Sequence, residues 1–136
     1  MTIFISHTSI DCHDAFTLSE WWRTALGYDM DTEDPNLPGH EECAIHDPVS
    51  GHTLLFLEVP DAELPAKRIH FDVRPRERSQ EDEVVWLQEH GAQLVADHRG
   101  IHGPGSGWVT LADPEGNQFC VLLSPDERTA FLAATT

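Results

Sequence analysis

Apolar and polar residues alternate along several short stretches of the chain, a pattern that predicts strands burying one face. The stretch IFISHTSID at residues 3–11 is also rich in β-branched residues, and RIHFDVRP at 68–75 repeats the alternation in the second half. Shorter stretches of the same kind predict five further strands: ECAIHD, HTLLFLEV, QLVADH, WVTLAD and QFCVLLS. Glycines and Asp-Pro pairs separate these stretches, as expected of turns.

Apolar residues at helical spacing predict three helices. The first, AFTLSEWWRTALG, follows Asp14 as an N-cap and ends at Gly27. Its apolar stripe comprises Phe16, Leu18, Trp21, Trp22, Ala25 and Leu26.

The second helix, SQEDEVVWLQEHGA, begins with an acidic turn that suits the helix dipole and stops at Gly91. Its inward residues are predicted to be Val84, Val85 and Leu87. A short helix over 125–136 is predicted to finish the chain.

The order strand, helix, three strands occurs twice. HDPVSGHTLLFL in the first half matches ADPEGNQFCVLL in the second, each with Asp-Pro, a turn glycine and an apolar strand. The repeat predicts an α+β domain over 1–136, with modules at about 3–60 and 68–124 joined by the linker PDAELPAK. In the first module, DTEDPNLPGHEE is a loop between two short strands.

Charge and cysteine content narrow the functional classes. Asp and Glu outnumber Lys and Arg by 24 to 8, which disfavours nucleic acid and anionic membranes as partners. The first residues, MTIFISHTSID, lack the basic and apolar regions of a signal peptide. Three widely spaced cysteines without a CxxC pair fit a reducing compartment, so a cytoplasmic location is expected.

Four segments together resemble the vicinal-oxygen-chelate superfamily, which includes glyoxalase I, extradiol dioxygenases and the fosfomycin- and bleomycin-resistance proteins. They are SHTSIDCHD at 6–14, EWWRTALGY at 20–28, RIHFDV at 68–73 and DPEGNQFCVL at 113–122. The nearest likeness is to the glyoxalase-like domains of bacteria. The resemblance implies two βαβββ modules that form an eight-stranded, cup-shaped sheet around a small-molecule site, and a homodimer.

The resemblance also implies a metal site. Metal-using members hold a divalent ion with a histidine on the first strand, a glutamate on the fourth, a histidine on the fifth and a glutamate on the eighth. His7 and His70 match the two histidines, whereas Cys120 stands where the last glutamate would be. The candidate ions are zinc, nickel, manganese and iron. A thiolate can bind zinc, so a site of His7, His70 and Cys120 with one open position is chemically possible.

The fourth-strand ligand has two readings. The distance along the chain from His7 favours Glu58. Alignment of the two turn glycines instead pairs Cys120 with Leu55, and side-chain alternation then turns Leu55 and Leu57 into the cup and Glu58 outward. The alternation is the stronger argument, because loop insertions change spacing freely.

Simpler roles compete with metal binding at these positions. Strand histidines are commonly hydrogen-bonded pocket residues, and a free cysteine behaves as a small hydrophobe. Phe119, Val121 and Leu122 would give Cys120 apolar neighbours.

Two functions therefore stay open. One is a metal-dependent enzyme of the lyase, isomerase or dioxygenase type, though not a standard glyoxalase I, because a full carboxylate pair is missing. The other is a metal-free protein that sequesters a small molecule, as bleomycin-resistance proteins do. Its pocket would be lined by Leu55, Leu57, Trp108 and Cys120. A dimerisation module is a third, weaker reading. No substrate follows from the fold.

Overall fold

The computed structural model describes residues 2–60, 62 and 68–135, so most of the predicted linker lies outside the described residues. The strands are β1 (Ile3–Cys12), β2 (Glu42–His46), β3 (Thr53–Glu58), β4 (Ile69–Pro75), β5 (Gln93–Asp97), β6 (Val109–Ala112) and β7 (Gln118–Val121). The helices are α1 (Ala15–Leu26), α2 (Gln80–Glu89) and α3 (Pro125–Thr135). The α+β class is confirmed, and the second module shows the predicted order of elements.

The chain divides into two compact units. The N-terminal unit is His7–His70, and the C-terminal unit combines Met1–Ser6 with Phe71–Thr136. Two strands, β1 and β4, run continuously across these boundaries. No helix in the described part of the chain has the length and apolar character needed to cross a bilayer.

In the N-terminal unit, β3 lies between β2, to which it is antiparallel, and β1, to which it is parallel. Ile10 stands opposite Phe56 in the β1–β3 register, and Phe56 stands opposite Cys43 in the β2–β3 register. Side chains of this face and the first residue of α1 form the core: Cys12, Ala15, Cys43, Ile45, Leu54 and Phe56.

Helix α1 has the predicted ends. Asp14 Oδ1 accepts a hydrogen bond from Thr17 N–H, and Gly27 adopts φ 72° while its N–H donates to Arg23 O. The buried stripe is narrower than predicted, because Trp21 and Leu26 are exposed. The residues that pack on the core are Phe16, Leu18 and Trp22.

Seven strands occur in the described residues, where the resemblance implied eight. The missing strand of the first module is reduced to one bridge between Asp29 and His46. Two backbone hydrogen bonds, Asp29 N–H to His46 O and His46 N–H to Asp29 O, make this bridge at 2.9 and 2.8 Å. The loop that follows contains Pro35 and Pro38, which have no N–H to extend a ladder.

In the C-terminal unit, β7 is parallel to β4 and antiparallel to β6, which is antiparallel to β5. One face of this sheet packs on α2 and forms a second core of Val73, Val84, Val109, Leu111 and Val121. Ile3, Leu87 and Phe119 pack against it while partly exposed.

The inward face of α2 differs from the prediction. Val84 is buried and Leu87 packs on the core, but Val85 is 47% exposed, so its assignment to the inward stripe was wrong. Glu83 is buried instead, at 1% exposure. Its Oε2 accepts a hydrogen bond from Arg78 Nη1 at 2.9 Å, and this ion pair offsets the desolvation of the carboxylate.

The glycine-rich loop before β6 closes on itself through Gly107. Gly107 adopts φ +95°, and a Cβ there would overlap the carbonyl oxygen of His98. Gly100 in the same loop also has a positive φ, +81°, yet a Cβ there meets no described heavy atom within 4 Å. Replacement of Gly100 by alanine therefore introduces backbone strain alone, whereas replacement of Gly107 introduces backbone strain and steric overlap.

We expect Val84→Ala to lower the free energy of unfolding by about 2 kcal/mol, because it removes buried methyl groups and leaves a cavity. Val85→Ala, on the exposed neighbour, should change it by less than about 0.5 kcal/mol. Urea unfolding of both variants measures the difference. Equal losses would contradict the orientation of α2.

Gly100→Ala should cost about 1–2 kcal/mol, the usual penalty for a left-handed alanine. Gly107→Ala should cost clearly more, because backbone atoms must also move away from the new methyl group. Urea unfolding again provides the comparison, and a Gly107→Ala variant as stable as Gly100→Ala would refute the close approach of this loop to His98.

Candidate functional site

A row of buried polar side chains crosses three strands of the C-terminal unit. Asp72 on β4 stands opposite Cys120 on β7, and Cys120 stands opposite Thr110 on β6. The three residues are 6%, 2% and 2% exposed. Because directly opposed residues project to the same face of a sheet, the row brings a carboxylate, a thiol and a hydroxyl together.

His70 joins this row through the geometry of β4. It precedes Asp72 by two residues in one continuous strand, so both side chains project to the same side. His70 is also buried, at 6% exposure. The imidazole nitrogen, the carboxylate oxygen and the Cys120 sulfur all lie within 4.8 Å of one another, and we call these three residues the donor group.

The donor group fits a divalent metal. Bonds of about 2.0–2.1 Å to nitrogen, 2.0–2.2 Å to oxygen and 2.3 Å to sulfur put the ligand atoms of a tetrahedral zinc ion roughly 3.3–3.6 Å apart. The donor atoms lie within 4.8 Å of one another, so side-chain rotations that draw them together by up to about an ångström would let them hold one ion. Histidine, carboxylate and cysteine are all established zinc ligands.

The turn before β7 sets the position of Cys120. Asp113 Oδ1 accepts hydrogen bonds from the N–H groups of Glu115 and Asn117, at 2.9 and 3.0 Å, and Gly116 adopts φ 90°. Hydrogen bonds from Asn117 hold the pKa of Asp113 below its usual value. This turn fixes the β6–β7 register and therefore puts Cys120 opposite Thr110.

The Cys120 sulfur lies among polar groups. Its Sγ is 3.4 Å from Thr110 Oγ1, and both atoms are buried. Its sequence neighbours Phe119 and Val121 pack on the core at the opposite face. The apolar surroundings inferred from neighbouring residues in the sequence therefore belong to the other side of β7.

Asp72 is the member of the donor group that the sequence analysis missed. The signal was present, because His70 and Asp72 are two apart in the alternating stretch RIHFDVRP. The family pattern assigns one ligand to this strand, and His70 matches it. Alternation alone would have put both side chains on one face.

Glu58 is the last residue of β3, and its Oε2 accepts a hydrogen bond at 3.0 Å from the N–H of Ala15, the first residue of α1. It follows Phe56 by two residues on β3 and shares the core side of that strand. Leu55 and Leu57 therefore project to the other face, beside Ser9 and Asp11 in the β1–β3 register. The pocket role predicted for Leu55 and Leu57 and the ligand role considered for Glu58 stay predictions.

His7 is half-buried on β1 and is not a member of the donor group. Trp108 precedes β6 and stacks on the imidazole of His98, with ring centroids 4.8 Å apart and planes 29° apart. His102 lies near the same indole, with centroids 6.3 Å apart. The ligand role predicted for His7 and the pocket role predicted for Trp108 stay predictions.

The other two cysteines have a different environment. All three cysteines are free and buried. Burial, followed by the nearby carboxylate of Glu58, raises the pKa of Cys12 to about 11, and burial also raises the pKa of Cys43. These two thiols stay neutral at physiological pH, which suits packing in the N-terminal core.

Solved structures with the same fold have low sequence identity to this chain. Methylmalonyl-CoA epimerase from Mycobacterium tuberculosis is 15% identical with a TM-score of 0.59, over 93% of this chain and 91% of that one. A hypothetical protein from Bacillus halodurans C-125 is also 15% identical with a TM-score of 0.59, over 90% and 94%. A glyoxalase/bleomycin resistance protein/dioxygenase superfamily member from Vibrio splendidus 12B01 is 14% identical with a TM-score of 0.53, over 88% and 97%.

Identities this low establish the fold and leave the activity open. No curated protein matches the chain. The family model described as a glyoxalase-like domain matches residues 7–122, which include the second half of β1, all of β2 to β7 and the donor group. The resemblance seen in the sequence is thereby confirmed, and the chain belongs to the glyoxalase-like domain family.

Proposed function

We propose that this protein binds a divalent metal, zinc in the first place, through His70, Asp72 and Cys120, and uses it to bind or act on an oxygen-bearing small molecule. The supporting observation is the convergence of three buried donor atoms of different chemistry within 4.8 Å. An imidazole, a carboxylate and a thiolate are all ligands that one zinc ion accepts.

The donor set favours zinc among the metals that the resemblance allows. Thiolate ligands select soft or borderline ions, whereas magnesium and manganese prefer oxygen donors. One imidazole, one carboxylate and one thiolate leave the fourth position of a tetrahedral site open, as in catalytic zinc sites. Iron and nickel are the next candidates, because both accept mixed nitrogen and sulfur ligands.

Each residue of the donor group has a separate task in this proposal. His70 and Asp72 are held by one strand, and Cys120 is held by the turn that precedes β7, so the three donors are positioned before any ligand arrives. Their burial keeps bulk water from the donor atoms. When bound, the ion supplies an open coordination position that polarises an oxygen atom of the small molecule.

A standard glyoxalase I reaction is not part of the proposal. The donor group contains one carboxylate, so no second carboxylate of that group remains to act as a base.

The second candidate is a metal-free binding protein. The half-buried leucines Leu55 and Leu57 share the face of β3 that is turned away from the core, and they supply apolar surface for a small molecule. This reading predicts ligand binding that does not change when metal is removed.

We expect metal-free protein to bind zinc with near one-to-one stoichiometry in a calorimetric titration. His70→Ala, Asp72→Asn and Cys120→Ser should each weaken binding by more than the ~10–100-fold that loss of an outer-shell partner costs. His7→Ala and Glu58→Gln in the same series test whether these residues contribute a ligand.

The matched controls are His40→Ala and Asp126→Asn, which change exposed residues outside the donor group. Both should bind zinc as the unaltered protein does. Zinc binding that survives all three donor substitutions, or no binding at all by the unaltered protein, would contradict the proposal and favour the metal-free reading.

Zinc affinity should fall as the pH is lowered from about 8 to about 5, because a histidine and a cysteine must both lose a proton to bind the ion. Competition with a chromophoric chelator at each pH measures the fall. Cys120→Ser should show a shallower dependence, since one proton-releasing ligand is gone. An affinity that is constant across this range would point to exposed carboxylates and against the donor group.

A further inference from the structure

The hydroxyl of Thr110 lies beside Cys120, on the opposite side of it from Asp72. The β6–β7 register places Thr110 directly across from Cys120, and the β4–β7 register places Asp72 across from it on the other strand. Thr110 Oγ1 is 3.4 Å from Cys120 Sγ, within hydrogen-bonding distance for sulfur. Thr110 is 2% exposed, so bulk water has little access to this contact.

We propose that Thr110 is a positioning residue for the metal site: its hydroxyl donates a hydrogen bond to the Cys120 sulfur once that sulfur is a metal-bound thiolate. The bond would fix the direction of the sulfur and withdraw electron density from it. This inference rests on the proposed function, because it concerns Cys120 as a ligand.

The direction of the hydrogen bond follows from the chemistry of the two groups. In the neutral form either the thiol or the hydroxyl can be the donor. A thiolate that binds a metal has no hydrogen left and can only accept, whereas a threonine hydroxyl always retains one hydrogen to donate. Metal binding therefore selects one of the two orientations.

A hydrogen bond to a metal-bound sulfur affects both the orientation of the ligand and the properties of the metal centre. Outer-shell partners orient metal ligands, and hydrogen bonds to ligating sulfur atoms tune the electronic properties of the centre. Hydrogen bonds to a charged acceptor are also stronger than those between neutral groups. Because strand pairing holds both backbones, the hydroxyl is already in place before an ion arrives.

A purely structural role would make different predictions. Threonine suits a strand through its β-branched shape alone, and its hydroxyl then matters only for the stability of the sheet. Thr110→Val retains that shape and removes the hydroxyl, whereas Thr110→Ser retains the hydroxyl and removes the methyl group. The pair therefore separates hydrogen bonding from packing.

The experiment is cobalt(II) absorption spectroscopy of the full chain, in which a thiolate ligand produces a sulfur-to-cobalt charge-transfer band. Cys120→Ser should abolish this band and so assign it. Thr110→Val should move the band to longer wavelength, because its thiolate is richer in electrons, and should weaken zinc binding by about 10–100-fold. Thr110→Ser should leave the band where it is in the unaltered protein.

An unchanged band and unchanged zinc affinity in Thr110→Val would overturn the role of Thr110 and leave the metal site intact. A band that moves equally in Thr110→Ser would also overturn it, because packing would then be the cause. If the unaltered protein binds cobalt without this band, or binds none, Cys120 is not a ligand, and both this inference and that part of the proposed function fail. Circular dichroism checks folding, and Thr110→Ala, which also lacks the hydroxyl, replaces Thr110→Val if that variant unfolds.

Discussion

Side-chain alternation along paired strands is the constraint on which this structure depends. In each unit one set of strand side chains packs in a helix-covered core, as Phe56 and Val73 illustrate, and the residues adjacent to them in the chain project to the other face. Leu55 and Asp72, which precede them, are two such residues. A shift of one residue in the pairing of two strands would turn the core side chains of the shifted strand to the other face of the sheet. The register that buries the apolar face therefore also aligns the donor group.

The polar row therefore depends on apolar packing elsewhere. Val73, Val109 and Val121 hold β4, β6 and β7 against α2, and Asp72, Thr110 and Cys120 are their immediate neighbours in the chain. Buried clusters of titratable side chains are common at functional sites, and this row, with His70 beside it, is such a cluster. A bound metal would explain the mixture of donor types.

Much of the fold was predictable, because alternation and caps are local signals. β1, β4, the Asp14 cap and the turn at Asp113 all follow from residues close together in the chain. The prediction for Val85 was wrong because tertiary contacts determine the inward face of α2, where Glu83 is buried and paired with Arg78. Only part of the site could be predicted from the sequence. His70 and Cys120 could be found by resemblance, whereas Asp72 could be found only from the two-residue alternation of side chains along β4. The pairing of Thr110 with Cys120 depends on the β6–β7 register, which the sequence does not show.

The central claim is that His70, Asp72 and Cys120 bind one metal ion, and anomalous X-ray diffraction from a zinc-loaded crystal tests it most directly. The account predicts a single strong zinc peak within bonding distance of all three donor atoms, about 2.3 Å from sulfur and 2.0–2.2 Å from nitrogen and oxygen. A zinc peak elsewhere, with the donor atoms making only hydrogen bonds to one another, would contradict it.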